Sequence, residues 1–225
     1  MNKSGYKLVA FDLDGTLVDS ALDLAYAGNE MLAELGLESV TDDQVRHWVG
    51  NGAPKLVQRM LTRKLESEQS HPLLEKALSI FLALYEKNIC HFSELYEGVN
   101  DGLENLQKTG VKIACITNKP LRFVRPILAQ LGIEGYFEQV VGGDSYPHIK
   151  PHPMPLLKTA DYFGCPANEA VMIGDSNNDI LAARAAGFGI ICVNYGYNQG
   201  RRIEDFHPDR VINSVAEIPQ YLKVI

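Results

Sequence analysis

Leu8-Val9-Ala10-Phe11-Asp12-Leu13-Asp14-Gly15-Thr16-Leu17 is the stretch around which the rest of the chain is organised. Four apolar residues of strand length run into two aspartates one residue apart, and Gly15-Thr16 follows where the chain must turn. Side chains alternate along an extended backbone, so Asp12 and Asp14 leave on one side while Leu13 points back to the core. Two like charges about 4 Å apart repel by about 4 kcal/mol at an effective dielectric of 20. The pair therefore calls for a cation, a shared proton or abundant water. Taken alone it also reads as a strand end with two solvated carboxylates.

The 225 residues are 46% hydrophobic and 22% charged, enough apolar material for one large domain or two unequal ones. The formal net charge of -7 and the lack of any Lys/Arg-rich run argue against nucleic acid or an anionic membrane as partner. Cys90, Cys115, Cys165 and Cys192 form no C-x-x-C pair and read as reduced thiols. The first apolar run is cut by Asp12 and is too short for a signal peptide, and no run approaches the ~18 residues of a membrane span. The expectation is a soluble, cytoplasmic protein, monomer or homodimer.

After Thr16 the pattern turns helical. Leu22, Leu24, Ala25, Met31, Leu32 and Leu35 recur near a period of 3.6, and Gly36 supplies a stop. Pro54 opens a second helix with Leu56, Val57, Met60, Leu61 and Leu65 on one face, and Pro72 opens a third. From Leu95 strands alternate with helices: strands at Val111 to Ile116, Phe137 to Val141, Val171 to Ile173, Ile190 to Val193 and Val211-Ile212. That alternation predicts an α/β fold, a parallel sheet with helices on both faces. The opening strand belongs to the same sheet, so residues 1–18 and 95–225 form a Rossmann-like three-layer core. Residues 19–94 form a helical cap inserted after the first strand, over the two acids.

Ligands of open parallel sheets bind beyond the carboxyl ends of the strands, so those ends are where chemistry is sought. The first delivers Asp12 and Asp14, the second Thr117 and Asn118, and the third leads to Lys150 in Ile149-Lys150-Pro151-His152-Pro153. The fourth opens into Gly174-Asp175-Ser176-Asn177-Asn178-Asp179. Singly, Thr117 or Asn118 reads as a helix cap, Lys150 as a solvated charge and Asp175 to Asp179 as a capped turn. Together they put four carboxylates and a lysine on one rim of the sheet. Oxygen-only ligation with that surplus of negative charge favours Mg²⁺ over Zn²⁺. A carboxylate beside Mg²⁺, a lysine and anion-binding groups suits phosphoryl transfer through an aspartyl-phosphate.

In order along the chain, Asp12-x-Asp14-Gly15-Thr16, Thr117, Lys150-Pro151 and Gly174-Asp175-x3-Asp179 resemble the four motifs of the haloacid dehalogenase-like hydrolase superfamily. The helical insert resembles that superfamily's first type of cap. The resemblance implies Asp12 as nucleophile and Asp14 as general acid/base. It implies Mg²⁺ on Asp12, the Asp14 carbonyl and Asp175, with Asp179 behind them. Thr117 and Asn118 are then expected to hold the phosphoryl group and Lys150 to neutralise charge on it and on Asp12. Asp14 speaks for phosphate esters rather than for the dehalogenase branch, which does not pair its nucleophile with this second aspartate.

Trp48-Val49-Gly50-Asn51-Gly52, Thr117-Asn118-Lys119-Pro120 and Asn194-Tyr195-Gly196-Tyr197-Asn198 are together similar to the bacterial phosphoglycolate phosphatase group. Gly50, Asn51 and Gly52 are expected to bring backbone N–H groups close to a small anionic leaving group. Arg46 or Lys55 is a further candidate for a substrate carboxylate. The implied substrate is a small phosphorylated metabolite, 2-phosphoglycolate first. A sugar phosphate or nucleotide as substrate, a phosphomutase of the same fold and a non-catalytic phosphate-binding protein stay open as alternatives.

Overall fold

The protein is represented by a computed structural model, in which residues 5–222 are described. Its centre is strand β1 (Leu8–Phe11), whose four residues are all buried, as a strand covered on both faces requires. A two-residue strand, β2 (Val18–Asp19), follows the turn at Gly15. Four helices come next: α1 (Ala21–Glu34), α2 (Asp42–Trp48), α3 (Ala53–Thr62) and α4 (Leu74–Lys87). The chain returns through β3 (Glu94–Leu95), which pairs antiparallel with β2. From there it alternates: α5 (Val99–Thr109), β4 (Lys112–Ile116), α6 (Leu121–Gln130), β5 (Gln139–Val141), α7 (Met154–Phe163), β6 (Ala170–Gly174), α8 (Asn177–Ala186), β7 (Gly189–Val193) and β8 (Arg210–Ile212).

The main sheet runs β5-β4-β1-β6-β7-β8, with every pair parallel. Alternate residues of its strands feed two cores, as the two-residue period of a strand demands. Val9, Phe11, Cys115, Ile173 and Ile191 pack against α5 and α6, while Leu8, Ala10, Ala114, Met172 and Ile190 pack against α7 and α8. The chain first builds outward from β1 through β4 to β5, then crosses back to β6 on the other side. The crevice at that reversal opens at the carboxyl ends of β1 and β6, just where Asp12 and Asp175 stand. The fold is thus the expected three-layer α/β core with helices between its first two long strands.

The helices α1–α4 enclose a core of their own, to which Phe123 contributes from α6 and Tyr197 from the loop after β7. Three local expectations need correction. Helix α3 stops at Thr62, where Arg63 turns to a φ of 59°, so Leu65 lies past it instead of on its face. Helix α2 was not anticipated: it is short, and its start is fixed by a reciprocal cap in which Thr41 accepts from the Gln44 N–H while Gln44 Oε1 accepts from the Thr41 N–H. The ribbon β2–β3 is two residues a side, below the length at which alternation can be read. The four cysteines are unpaired, as expected. Among the described residues no helix is long and apolar enough to cross a membrane.

Candidate active site

Asp12 is the first residue past β1, and its carboxylate caps its own turn by accepting the Leu13 N–H at 2.7 Å. Gly15 makes the next approach possible: its φ is +88°, and a Cβ there would lie 2.4 Å from Asp175 Oδ2. The residue after Gly15 then reaches the same group, Thr16 Oγ1 donating to Asp175 Oδ1 at 2.8 Å. From the other side the Tyr197 N–H donates to Asp175 Oδ2 at 2.6 Å. Asp12, Asp175 and Asp179 each present a carboxylate oxygen within 4.8 Å of the others, all three buried.

Lys150 neutralises part of this cluster. Its ammonium bonds Asp179 Oδ1 at 2.7 Å, Asp12 Oδ1 at 2.9 Å and the Ile116 carbonyl at 2.7 Å. All three of its protons are thereby used. The Lys150 backbone is in turn clamped by the Asn118 side chain, which donates to the Lys150 carbonyl at 2.8 Å and accepts its N–H at 2.9 Å. Asp179 opens α8 in a capping box, with Oδ2 accepting from Ser176 N at 3.1 Å and Ser176 Oγ at 2.7 Å. Both its oxygens are therefore already engaged, as are those of Asp175, and Asp12, whose Oδ2 has no partner among the described residues, is the freer donor.

Asp14 stands apart from that trio. It accepts from the Ser20 hydroxyl and, at 2.6 Å, from the Lys119 ammonium, a buried ion pair. Asp12, Asp14, Thr117 and Lys119 all line one cavity of about 50 Å³, closed over by Leu24, Leu56 and other apolar side chains of the helices. Thr117 Oγ1 accepts the Lys119 N–H at 3.2 Å, and among the described residues its own proton has no acceptor.

Burial pushes the Asp12 carboxyl up to about 7; Lys150 pulls it down, but the nearby Asp179 and Asp14 charges oppose that relief. Asp175 is raised well above the carboxylate range by burial and then by Asp12 and Asp179. For Lys150 and Lys119 burial acts downward, yet their carboxylate partners outweigh it and keep both ammoniums charged. Four carboxylates face two ammoniums, which leaves a deficit of two positive charges. Oxygen donors alone, buried and mutually repelling, fit a hard divalent cation.

The sequence-predicted residues Asp12, Asp14, Thr117, Lys150, Asp175 and Asp179 thus come together. Asn118 differs from expectation. Its amide is spent on Lys150 and on the Gly50 carbonyl at 3.0 Å, so the side chain braces the site instead of facing a phosphate. Gly50 and Gly52 line the cavity, but Gly50 turns its carbonyl toward the core, accepting from Asn118 and, at 3.1 Å, from Asn178. Asn51 lies outside the cavity's lining and bonds Asn178 at 3.3 Å and Gln199 at 3.4 Å. Arg46 pairs with Asp19 and Lys55 with Glu66, which takes both from the list of carboxylate partners. Thr16, Lys119 and Tyr197 stand in the motifs read from the sequence without a role of their own, and Ser20 gave no signal there. The signal available for Lys119 was its place before Pro120, directly after two polar residues at a strand end.

The profile of haloacid dehalogenase-like hydrolases matches residues 9–193. A protein of Nitrosococcus oceani named phosphoglycolate phosphatase is 48% identical over 216 residues, 96% of this chain and 96% of that protein. One of the same name from Colwellia psychrerythraea is 44% identical over 96% of this chain and 97% of its own length. A crystal structure described as a predicted phosphoglycolate phosphatase from Haemophilus somnus has a TM-score of 0.89 at 38% identity, covering 96% of this chain and 97% of that one. A profile matched from the opening strand through β7, on a sheet whose reversal point carries the matching acids, places the chain in the haloacid dehalogenase-like hydrolase family.

Proposed function

We propose that the chain is a Mg²⁺-dependent phosphomonoester hydrolase that splits 2-phosphoglycolate into glycolate and phosphate, with the phosphoryl group carried in between on Asp12. The observation that carries this reading is the pairing of Asp12 with Asp14 in one small cavity: a nucleophile, and beside it a second carboxylate held by Ser20 and Lys119. A phosphate-binding protein has no use for Asp14. The names of relatives more than 40% identical over nearly the whole chain supply the substrate. The cavity is small, about 50 Å³, and the ammonium of Lys119 in its lining suits an anionic leaving group.

In this reading Asp12 attacks phosphorus in line while Asp14 protonates the departing alkoxide, and Asp14 then deprotonates the water that cleaves the acyl phosphate. Asp12, Asp175 and the Asp14 carbonyl would hold Mg²⁺, with Asp179 behind; the cation supplies charge neutralisation for the phosphoryl group and keeps Asp12 ionised. Thr117 offers its unused proton to a phosphoryl oxygen. Lys150 keeps Asp12 and Asp179 apart in charge and holds the nucleophile in place. The two-residue ribbon β2–β3, where residues 19–94 leave and rejoin the core, is the hinge about which the helical cap opens to admit substrate.

Phosphate release from a panel of small phosphomonoesters, with Mg²⁺ and with chelator, tests the reading. Mg²⁺-dependent release led by 2-phosphoglycolate supports it. Turnover spread over sugar phosphates or nucleotides overturns the substrate and keeps the chemistry, and the absence of release from every member overturns both.

A further inference from the structure

Lys119 enters the chemistry assigned above only by holding Asp14, yet it is among the most deeply placed charges in the protein, 6% exposed. It follows Thr117 by two residues at the end of β4 and donates to Asp14 Oδ1 at 2.6 Å. Its ammonium also stands 5.1 Å from the centre of the Tyr85 ring on α4. Among the described residues lining the cavity it is the one cation. Tyr85 lines the same cavity, is 1% exposed, and its hydroxyl stands beside the Lys119 ammonium without making a hydrogen bond of ordinary geometry. Native proteins leave few buried polar groups unsatisfied, and those they leave call for an explanation. Here a spare donor and a buried cation face one small space from opposite layers of the molecule.

The geometry of the leaving group says what fits there. In 2-phosphoglycolate a single carbon separates the ester oxygen from the carboxylate, so the carboxylate oxygens lie about one hydrogen-bond length from the atom that Asp14 protonates. A side chain that reads the carboxylate must therefore stand within a hydrogen bond of Asp14. Lys119 does. The other candidate cations do not: Arg46 is drawn to Asp19, Lys55 to Glu66, and Arg59 to the Trp48 and Leu65 carbonyls. Lys150 has its protons committed beneath Asp12. With three donors, Lys119 can keep Asp14 while reaching a second anion.

We infer that Lys119 and Tyr85 form the subsite for the leaving group's carboxylate, one from the core and one from the helical layer. Resting on the phosphoglycolate reading, this makes them the residues that set specificity for phosphoesters of small 2-hydroxy carboxylates over those of neutral alcohols. Because Tyr85 belongs to α4, the carboxylate is held across the two layers, and a substrate lacking it loses a contact with the cap as well as one with the core.

The test compares 2-phosphoglycolate with ethyl phosphate, which has the same ester oxygen and no carboxylate, on the native protein, Lys119→Met and Tyr85→Phe. The readout is the ratio of the two kcat/KM values, so any effect of Lys119 on Asp14 itself cancels. A charged hydrogen bond lost to the carboxylate should lower the ratio about 100-fold in Lys119→Met and about 10-fold in Tyr85→Phe. Tyr85→Phe removes only the hydroxyl, so it keeps the test decisive if Lys119→Met does not fold. A native preference for 2-phosphoglycolate that survives in every variant that folds overturns this inference and leaves the substrate reading standing. A native ratio near one overturns the substrate reading and this inference with it.

Discussion

The charge deficit at the strand ends makes a quantitative prediction about Mg²⁺ and pH. Burial and neighbouring acids push Asp12 up to about 7, from an ordinary carboxylate value of 3.8. A carboxyl raised on folding binds its proton more tightly in the folded state. Its contribution to stability is full below pH 4 and is lost as pH rises through about 7. Mg²⁺ must displace that proton, so its binding weakens below pH 7 by a factor of ten per pH unit for one proton released. At pH 7 half of the carboxyls are already protonated, so between pH 7 and pH 5 the affinity falls about 50-fold and the stabilisation conferred by a fixed concentration of Mg²⁺ should shrink by about 2 kcal/mol. Asp175, raised in the same direction, adds to the trend. Urea unfolding at the two pH values, with and without Mg²⁺, measures it. Equal stabilisation at pH 5 and pH 7, or none at either, would refute the idea that these buried carboxylates are the cation's ligands.

Other consequences follow from individual contacts. Lys150→Met strips two buried carboxylates of their partner and should cost about 3–5 kcal/mol in denaturant unfolding at neutral pH; the loss should be smaller at pH 5, where Asp12 is neutral, and an unchanged midpoint at neutral pH would count against the ion triad. Tyr197→Phe removes a phenol oxygen that accepts from the Ser20 and Ala21 N–H groups at 2.9 and 3.1 Å and donates to Asp19 at 2.6 Å. These bonds tie the loop after β7 to the start of α1, so the variant should lose about 1–3 kcal/mol. It should also show a KM change for 2-phosphoglycolate, since α1 hangs from the β2–β3 ribbon; unchanged stability and kinetics together would argue against that clasp.

The parts of this architecture that were legible in the sequence are those held by local chemistry. Leu8 to Phe11 and Val171 to Ile173 are continuous apolar runs because both faces of a parallel strand are buried, and their order with intervening helices predicts the sheet. Asp12 and Asp175 stood out because each follows such a run directly, with Asp14 and Asp179 a few positions further on. Helix α2 was hidden because seven residues hold too few turns for a period to show, although Thr41 and Gln44 carried its capping signal. The side-chain bonds of Asn118 were hidden for another reason. A polar side chain at a strand end announces that it will bond something, and only folding brings Lys150, thirty-two positions away, against it. Tyr197 bonding Ser20 across 177 positions, and Tyr85 facing Lys119, are likewise products of the tertiary arrangement, in which a local pattern has no say.

The most direct test of the central claim is to quench the enzyme in acid during turnover of 2-phosphoglycolate with Mg²⁺ present and to look for phosphoryl groups on the chain by peptide mass spectrometry. The account predicts phosphate on Asp12, accumulating further when Asp14→Asn slows hydrolysis, and neither phosphate nor turnover in Asp12→Asn. Turnover retained by Asp12→Asn, or a phosphoryl group found on any other residue, would contradict it.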